Sequence, residues 1–305
     1  CVFPKIYQEL RTFDVPLLVF ISGISFFISS TRNGETYLDY VIKRFKKLII
    51  PVWIFITFYI IFFMLFFKES FSLSTIVTSY GLTSGIGFVW IFRIMFVMAI
   101  INPFLKKMTN TLTFVQSLLI IIGLLFVNEV CFYLIHTNIN AEKMQSLLYI
   151  FTSYNIGYAV ISFAGMLWFK FGLKQKIIMF LCFSILFLCC FFTLKFPSIQ
   201  EYKYPPQTYY ILYGTMVTSG LLLFLSKTKL LERCSYSLIV WISKKSMNIY
   251  LWHIFVLNLL SYLELPVVFD NYINYFIMIM VSSIALTFVQ EKVIQLFKDK
   301  FIAKQ

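Results

Sequence analysis

The sequence has little charge and few of the residues on which soluble enzymes build their sites. Only 13% of the 305 residues are charged, and there are two histidines, His136 and His253. The six cysteines lack the paired spacing of a disulfide framework or a zinc site, so no bound metal is expected; Cys182, Cys189 and Cys190 read as small helix-packing residues. There is no P-loop, dinucleotide fingerprint, HExxH or GxSxG. Nothing resembles a linker, a low-complexity tail or a repeat between the two halves. The opening "CVFPKIYQELRTFD" has no basic stretch followed by an apolar one, so it is not a secretory signal.

What the sequence does contain is apolar surface. Hydrophobic residues make up 60% and aromatics 20%, with a mean hydropathy of +0.85, against roughly 45–50% apolar residues in soluble domains. This is the composition of an all-α polytopic membrane protein, with residues 1–305 as one membrane-embedded domain. A hydrocarbon core about 30 Å thick needs roughly 20 apolar residues per helix. Nine segments qualify, near 15–30, 48–67, 86–105, 111–135, 147–169, 176–194, 208–226, 246–264 and 271–290. Pro16 and Pro51 fall at the starts of their spans, where a missing N–H costs little.

The net charge of +13 follows the loops. Basic residues gather in alternate ones, at 32–47, 106–107, 170–176, 227–245 and 292–304, which is the positive-inside pattern and not a nucleic-acid footprint. The C-terminus is therefore expected in the cytoplasm and Cys1 outside. A chain starting outside without a signal is hard to insert, so one further helix before Cys1 is expected, making ten in the full-length protein. "KTKLLERCSYSLIVWISKK" predicts an interfacial amphipathic helix over 229–243, and the tail 291–305 repeats that pattern.

Polar groups within a bilayer are expensive and so become functional candidates. His253 shares a helical face with Ser246 and Tyr250. It either bridges helices as a neutral imidazole or serves as an acid, a base or an orienter of substrate. Arg93, in "VWIFRIMF", needs a partner, water or an anionic substrate, because an unpaired guanidinium costs on the order of 3 kcal/mol by insertion scales. Glu129 is the expected partner. Arg44 and Lys47 are three apart in "YVIKRFKKLIIP" and share a face; they set topology or bind phosphates, arginine with bidentate contacts and lysine as a point charge. His136 reads as a solvated loop residue.

"FDVPLLVFISGISFF" (13–27), "KRFKKLIIPVW" (43–53), "FVWIFRIMFVMAIINPFL" (88–105) and "SKKSMNIYLWHIFVL" (243–257) occur in the order seen in the acyltransferase-3 superfamily of integral membrane O-acyltransferases, and the chain resembles those that acylate surface polysaccharides. The resemblance implies a ten-helix bundle of the bacterial inner membrane. Its donor would be acetyl-CoA or another acyl-CoA, used as substrate and not permanently bound, and its acceptor a hydroxyl of a glycan or lipid-linked sugar. Membrane lipids would be partners and nucleic acid would not. The match places Arg44 and Lys47 at the donor-binding positions, although Lys47 stands where arginine is common. His253 matches the late Tyr-Leu-x-His, so it, Tyr250 and Arg93 would line the acyl-transfer path. By the resemblance, the family's principal histidine would lie in the first helix, the one expected before Cys1, and His253 is expected to support it. Two other classes compete: a polysaccharide or metabolite transporter without catalysis, and a glycan polymerase, for which the longest outer loop (68–85) has too few basic residues.

Overall fold

The computed structural model describes residues 9–30, 36–228, 237–263 and 272–302. Among the described residues the regular structure is entirely helical. The helices are α1 (Asp14–Ser29), α2 (Tyr37–Phe67), α3 (Leu73–Tyr80), α4 (Trp90–Thr111), α5 (Phe114–Asn138), α6 (Glu142–Phe151), α7 (Ser153–Lys170), α8 (Leu173–Thr193), α9 (Thr208–Lys227), α10 (Ser237–Leu263) and α11 (Tyr272–Ile302), with a 3-10 turn at Ile199–Tyr202.

Eight helices among the described residues are long and apolar enough to cross a membrane, against nine expected segments. The segment that falls outside the set is 86–105. It is helical, as α4, but Arg93, Lys106 and Lys107 interrupt its apolar run. Pro51 is not at a helix start as expected, because α2 begins at Tyr37, well before its apolar part. Having no N–H, Pro51 cannot donate to the carbonyl of Lys47 one turn earlier. Of the interfacial helix expected over 229–243, residues 229–236 lie outside the described set, and 237–243 open a helix that continues to Leu263. Likewise α11 runs without a break past 290 into the expected tail. His136 lies in the last turn of α5, not in a loop, stacked on Phe132 with ring centroids 5.6 Å apart.

The chain divides into two compact units. The larger holds the described residues 9–30, 36–51 and 89–228, and its centre is α7, which packs against α1, α4, α5, α6 and α9. Every residue from Gly157 to Trp168 is buried, as suits a helix apolar on all sides. Glycine lets the backbones touch. A Cβ on Gly165 would lie 2.1 Å from the Phe20 carbonyl oxygen of α1, and one on Gly23 would lie 2.2 Å from that of Ser162. Both are impossible contacts, so α1 and α7 meet backbone to backbone, as small residues permit in membrane bundles. The Ser162 hydroxyl donates to Asn102 Oδ1 of α4 at 2.7 Å, a buried bond of the kind that ties helices together in an apolar medium.

Local chemistry starts and stops these helices. The Thr113 hydroxyl and the Gln116 side chain form a reciprocal capping box at the head of α5. At the foot of α4, Lys170 Nζ donates to the carbonyls of Thr109 and Leu112, placing a cation where terminal carbonyls lack intrahelical donors.

The second unit comprises the described residues 52–88, 237–263 and 272–302. Its core is a run of aromatic rings on the later part of α2 that meets α10. Phe62 lies 4.9 Å from Phe255, Phe63 4.9 Å from Tyr262 and Phe58 5.6 Å from Trp252, centroid to centroid. Such pairs add about 0.5–1.5 kcal/mol each beyond area burial. The Trp252 indole donates to Gln290 Oε1 at 2.8 Å, and Lys245 pairs with Glu291, so α10 packs along α11.

Gly165→Ala is expected to cost about 1–3 kcal/mol or more through overpacking, seen as a lower thermal unfolding midpoint in detergent. Gly123→Ala, where a Cβ meets nothing within 4 Å, is the control and should leave the midpoint unchanged or raise it, since alanine favours helix. Equal effects of the two would remove the α1–α7 contact from its central place.

Candidate functional site

The larger unit holds a pocket of about 410 Å³ where the end of α1, the start of α2 and the end of α4 come together. Thr36 caps α2, its hydroxyl donating to Asp39 Oδ2 at 2.6 Å and accepting from the Asp39 N–H at 3.2 Å. The helix then presents Lys43, Arg44 and Lys47 to the pocket, while α4 supplies Lys106 and Lys107 one turn after Pro103. Among the described residues no carboxylate lines it. Asp39 sits beside a shallower depression that shares Lys43 and Lys47 and adds Lys46.

Aromatic rings hold these cations in place. The Arg44 guanidinium carbon lies 5.3 Å from the Tyr40 ring centroid, and Tyr40 packs edge-on against Phe26 of α1 at 5.4 Å. Lys106 Nζ lies 5.7 Å from the Phe27 ring centroid. On α2, Tyr37 donates to the Ile100 carbonyl at 3.3 Å and its ring meets Phe104. An arginine steadied over a ring and four ammonium groups, in a concave site with serines and Asn110, are chemically able to hold phosphate charge. The spacing argument thus places Arg44 and Lys47 on one pocket. It missed Lys106 and Lys107, because nothing local in the sequence links 106–107 to 43–47; the link is the packing of α4 beside α2.

Arg93 lies at the other end of the same unit, thirteen residues before Lys106 on α4, about 20 Å at 1.5 Å per residue. The expected pairing with Glu129 does not form. Glu129 accepts from the backbone N–H and the hydroxyl of Thr208, each at 3.4 Å, since the head of α9 has donors to satisfy. Arg93 instead lies over Tyr154, with its guanidinium carbon 5.4 Å from the ring centroid, and its buried Nη1 has no hydrogen-bond partner.

His253 and Tyr250 belong to the smaller unit. Their rings are 5.5 Å apart on one face of α10. The Tyr250 hydroxyl donates to the Phe88 carbonyl at 3.0 Å, and the Phe88 ring lies 6.4 Å from His253. Phe88 has φ 46°, a left-handed conformation that strains a bulky residue. The face shared by 250 and 253 therefore meets a constrained segment, which the sequence alone did not single out. Among the described residues no three His, Cys, Asp or Glu side chains come together as a metal site.

The acyltransferase-3 family model, described as an acyltransferase domain, matches residues 2–290. The chain matches no curated protein and no solved structure. A multi-pass helical architecture and a match along nearly the whole chain agree, and the protein belongs to the acyltransferase-3 family of membrane acyltransferases.

Proposed function

We propose that the protein transfers an acyl group, acetyl in the first instance, from acyl-CoA to a hydroxyl of a cell-surface or lipid-linked glycan. The observation that carries this is the pocket with Lys43, Arg44, Lys47, Lys106 and Lys107 on its walls. Coenzyme A bears a 3′-phosphate and a diphosphate on its adenosine, and a cluster of five cations suits that charge. Arg44 makes the bidentate contact and the lysines act as point charges.

In the transfer, a histidine base takes the proton of the acceptor hydroxyl as its oxygen attacks the thioester carbonyl. The tetrahedral intermediate collapses with loss of the coenzyme A thiolate, which is protonated on leaving, and the acyl oxygen ester remains on the sugar. His253 supports that chemistry, with Tyr250 fixing the segment at Phe88 against its face. The basic loops support a reading in which the C-terminus and the donor are on the cytoplasmic side of a bacterial inner membrane.

Arg44→Ala is expected to raise KM for acetyl-CoA about ten- to a hundredfold, the loss of a charge-assisted contact, with a smaller effect on kcat; Arg44→Lys should recover part of it. Labelled acetyl transfer to envelope glycan in membranes reads both, and absence of transfer from verified protein with its native acceptor would refute the reading. His253→Ala should lower kcat while leaving KM for the donor near its starting value; an unchanged kcat would make His253 a purely structural residue. A C-terminal alkaline phosphatase fusion should be inactive and a C-terminal fluorescent fusion bright, and the reverse pattern would invert the orientation.

A further inference from the structure

Around Arg93 the larger unit gathers a group of aromatic rings. Trp90 and Tyr204 meet edge to face with ring centroids 5.4 Å apart, and Trp90 and Tyr154 do the same at 6.4 Å. Tyr204 is 49% exposed and Trp90 half-buried, so both side chains keep some surface exposed. Tyr158 lies behind, fully buried, its ring 6.4 Å from Tyr154.

The charge here is unbalanced. Lys203, buried to 7% exposure, lies over Tyr204 and 3.5 Å from Asp14 Oδ1, so the nearby carboxylate already has its cation. Glu129 is taken by Thr208. Arg93 is left with no carboxylate partner among the described residues, only a ring beneath it and a buried Nη1 that donates to nothing. A guanidinium withdrawn from water without a counter-charge is costly, and an incoming anion with two oxygens relieves that cost. Aromatic walls with a few convergent polar groups are also how proteins hold small ligands, and the C–H faces of a pyranose pack well on such rings.

We infer that Trp90, Tyr154 and Tyr204, with Arg93, form a binding subsite for an anionic sugar, the ring lying on the aromatic walls and its carboxylate or phosphate on Arg93. The inference deepens the proposed function, resting on it for the idea that this sugar belongs to the acceptor. Because α4 carries Arg93 near one end and Lys106 near the other, donor phosphates and acceptor anion would be held about 20 Å apart in one unit, which separates two like-charged ligands.

The test is equilibrium binding to the purified protein in nanodiscs, with no acyl donor present. The probes are trigalacturonate, glucose 6-phosphate and the neutral maltotriose. At least one anionic sugar should bind about tenfold or more tightly than maltotriose, and which one does identifies the anionic group. Arg93→Gln should abolish the preference and Arg93→Lys should retain part of it, while Tyr204→Ala, at an exposed ring, should weaken all binding without lowering the unfolding midpoint. Equal affinity for anionic and neutral sugars, or a preference that survives Arg93→Gln, would overturn the inference. The two ideas fail separately: a preference that depends on Arg93 without any acetyl transfer would keep the subsite and remove the transferase reading. Transfer with no such preference would do the opposite.

Discussion

The architecture of the larger unit depends on one contact, the backbone-to-backbone packing of α1 on α7. In an apolar solvent, hydrophobic burial does not drive helices together, and close van der Waals approach with a few internal hydrogen bonds must do so. Gly23 and Gly165 create that approach, and neither position has room for a Cβ. The Ser162 hydroxyl then joins α7 to Asn102 of α4, so three helices are fixed to one another near their middles. Both ends of the bundle follow. The last turn of α1 and the last turns of α4 wall the basic pocket, and their first turns carry Asp14 and Arg93.

The two ends use the same chemistry in different proportion. At the basic pocket the cations are many, partly exposed and steadied by Tyr40 and Phe27, which suits a highly charged ligand that must leave again. At the other end one guanidinium sits among aromatic rings with a single paired neighbour in Lys203. Few charges in a drier setting discriminate more sharply, because an unpaired buried charge is penalised heavily. The smaller unit adds a third element, the imidazole of His253 beside Tyr250 and the strained Phe88.

Much of this was legible in the sequence, for physical reasons that differ by element. Helix positions were readable because a bilayer demands long apolar runs, and segments such as 176–194 or 208–226 contain little else. Their ends were less readable. Helical hydrogen bonding does not stop where an apolar run ends, so α2 starts before Pro51 and α10 and α11 extend beyond their apolar segments. Arg44 and Lys47 were found together because they are three apart on one helix. Lys106 and Lys107 were not, because only tertiary packing brings them to the same pocket. Glu129 was wrongly given to Arg93, since similar depth on two helices says nothing about which faces meet, and the donors at the head of α9 compete for the carboxylate. The rings of Tyr154 and Tyr204 around Arg93 lie far apart in sequence and carry no periodic signal.

The most direct test of the central claim is a structure of the protein in a lipid disc with coenzyme A bound. The phosphates should lie within hydrogen-bond distance of Arg44 and Lys47, with the Lys106 and Lys107 ammonium groups facing them across the pocket. Coenzyme A seated elsewhere, with none of its phosphates near Arg44 or Lys47, would contradict the assignment of the basic pocket as the donor site.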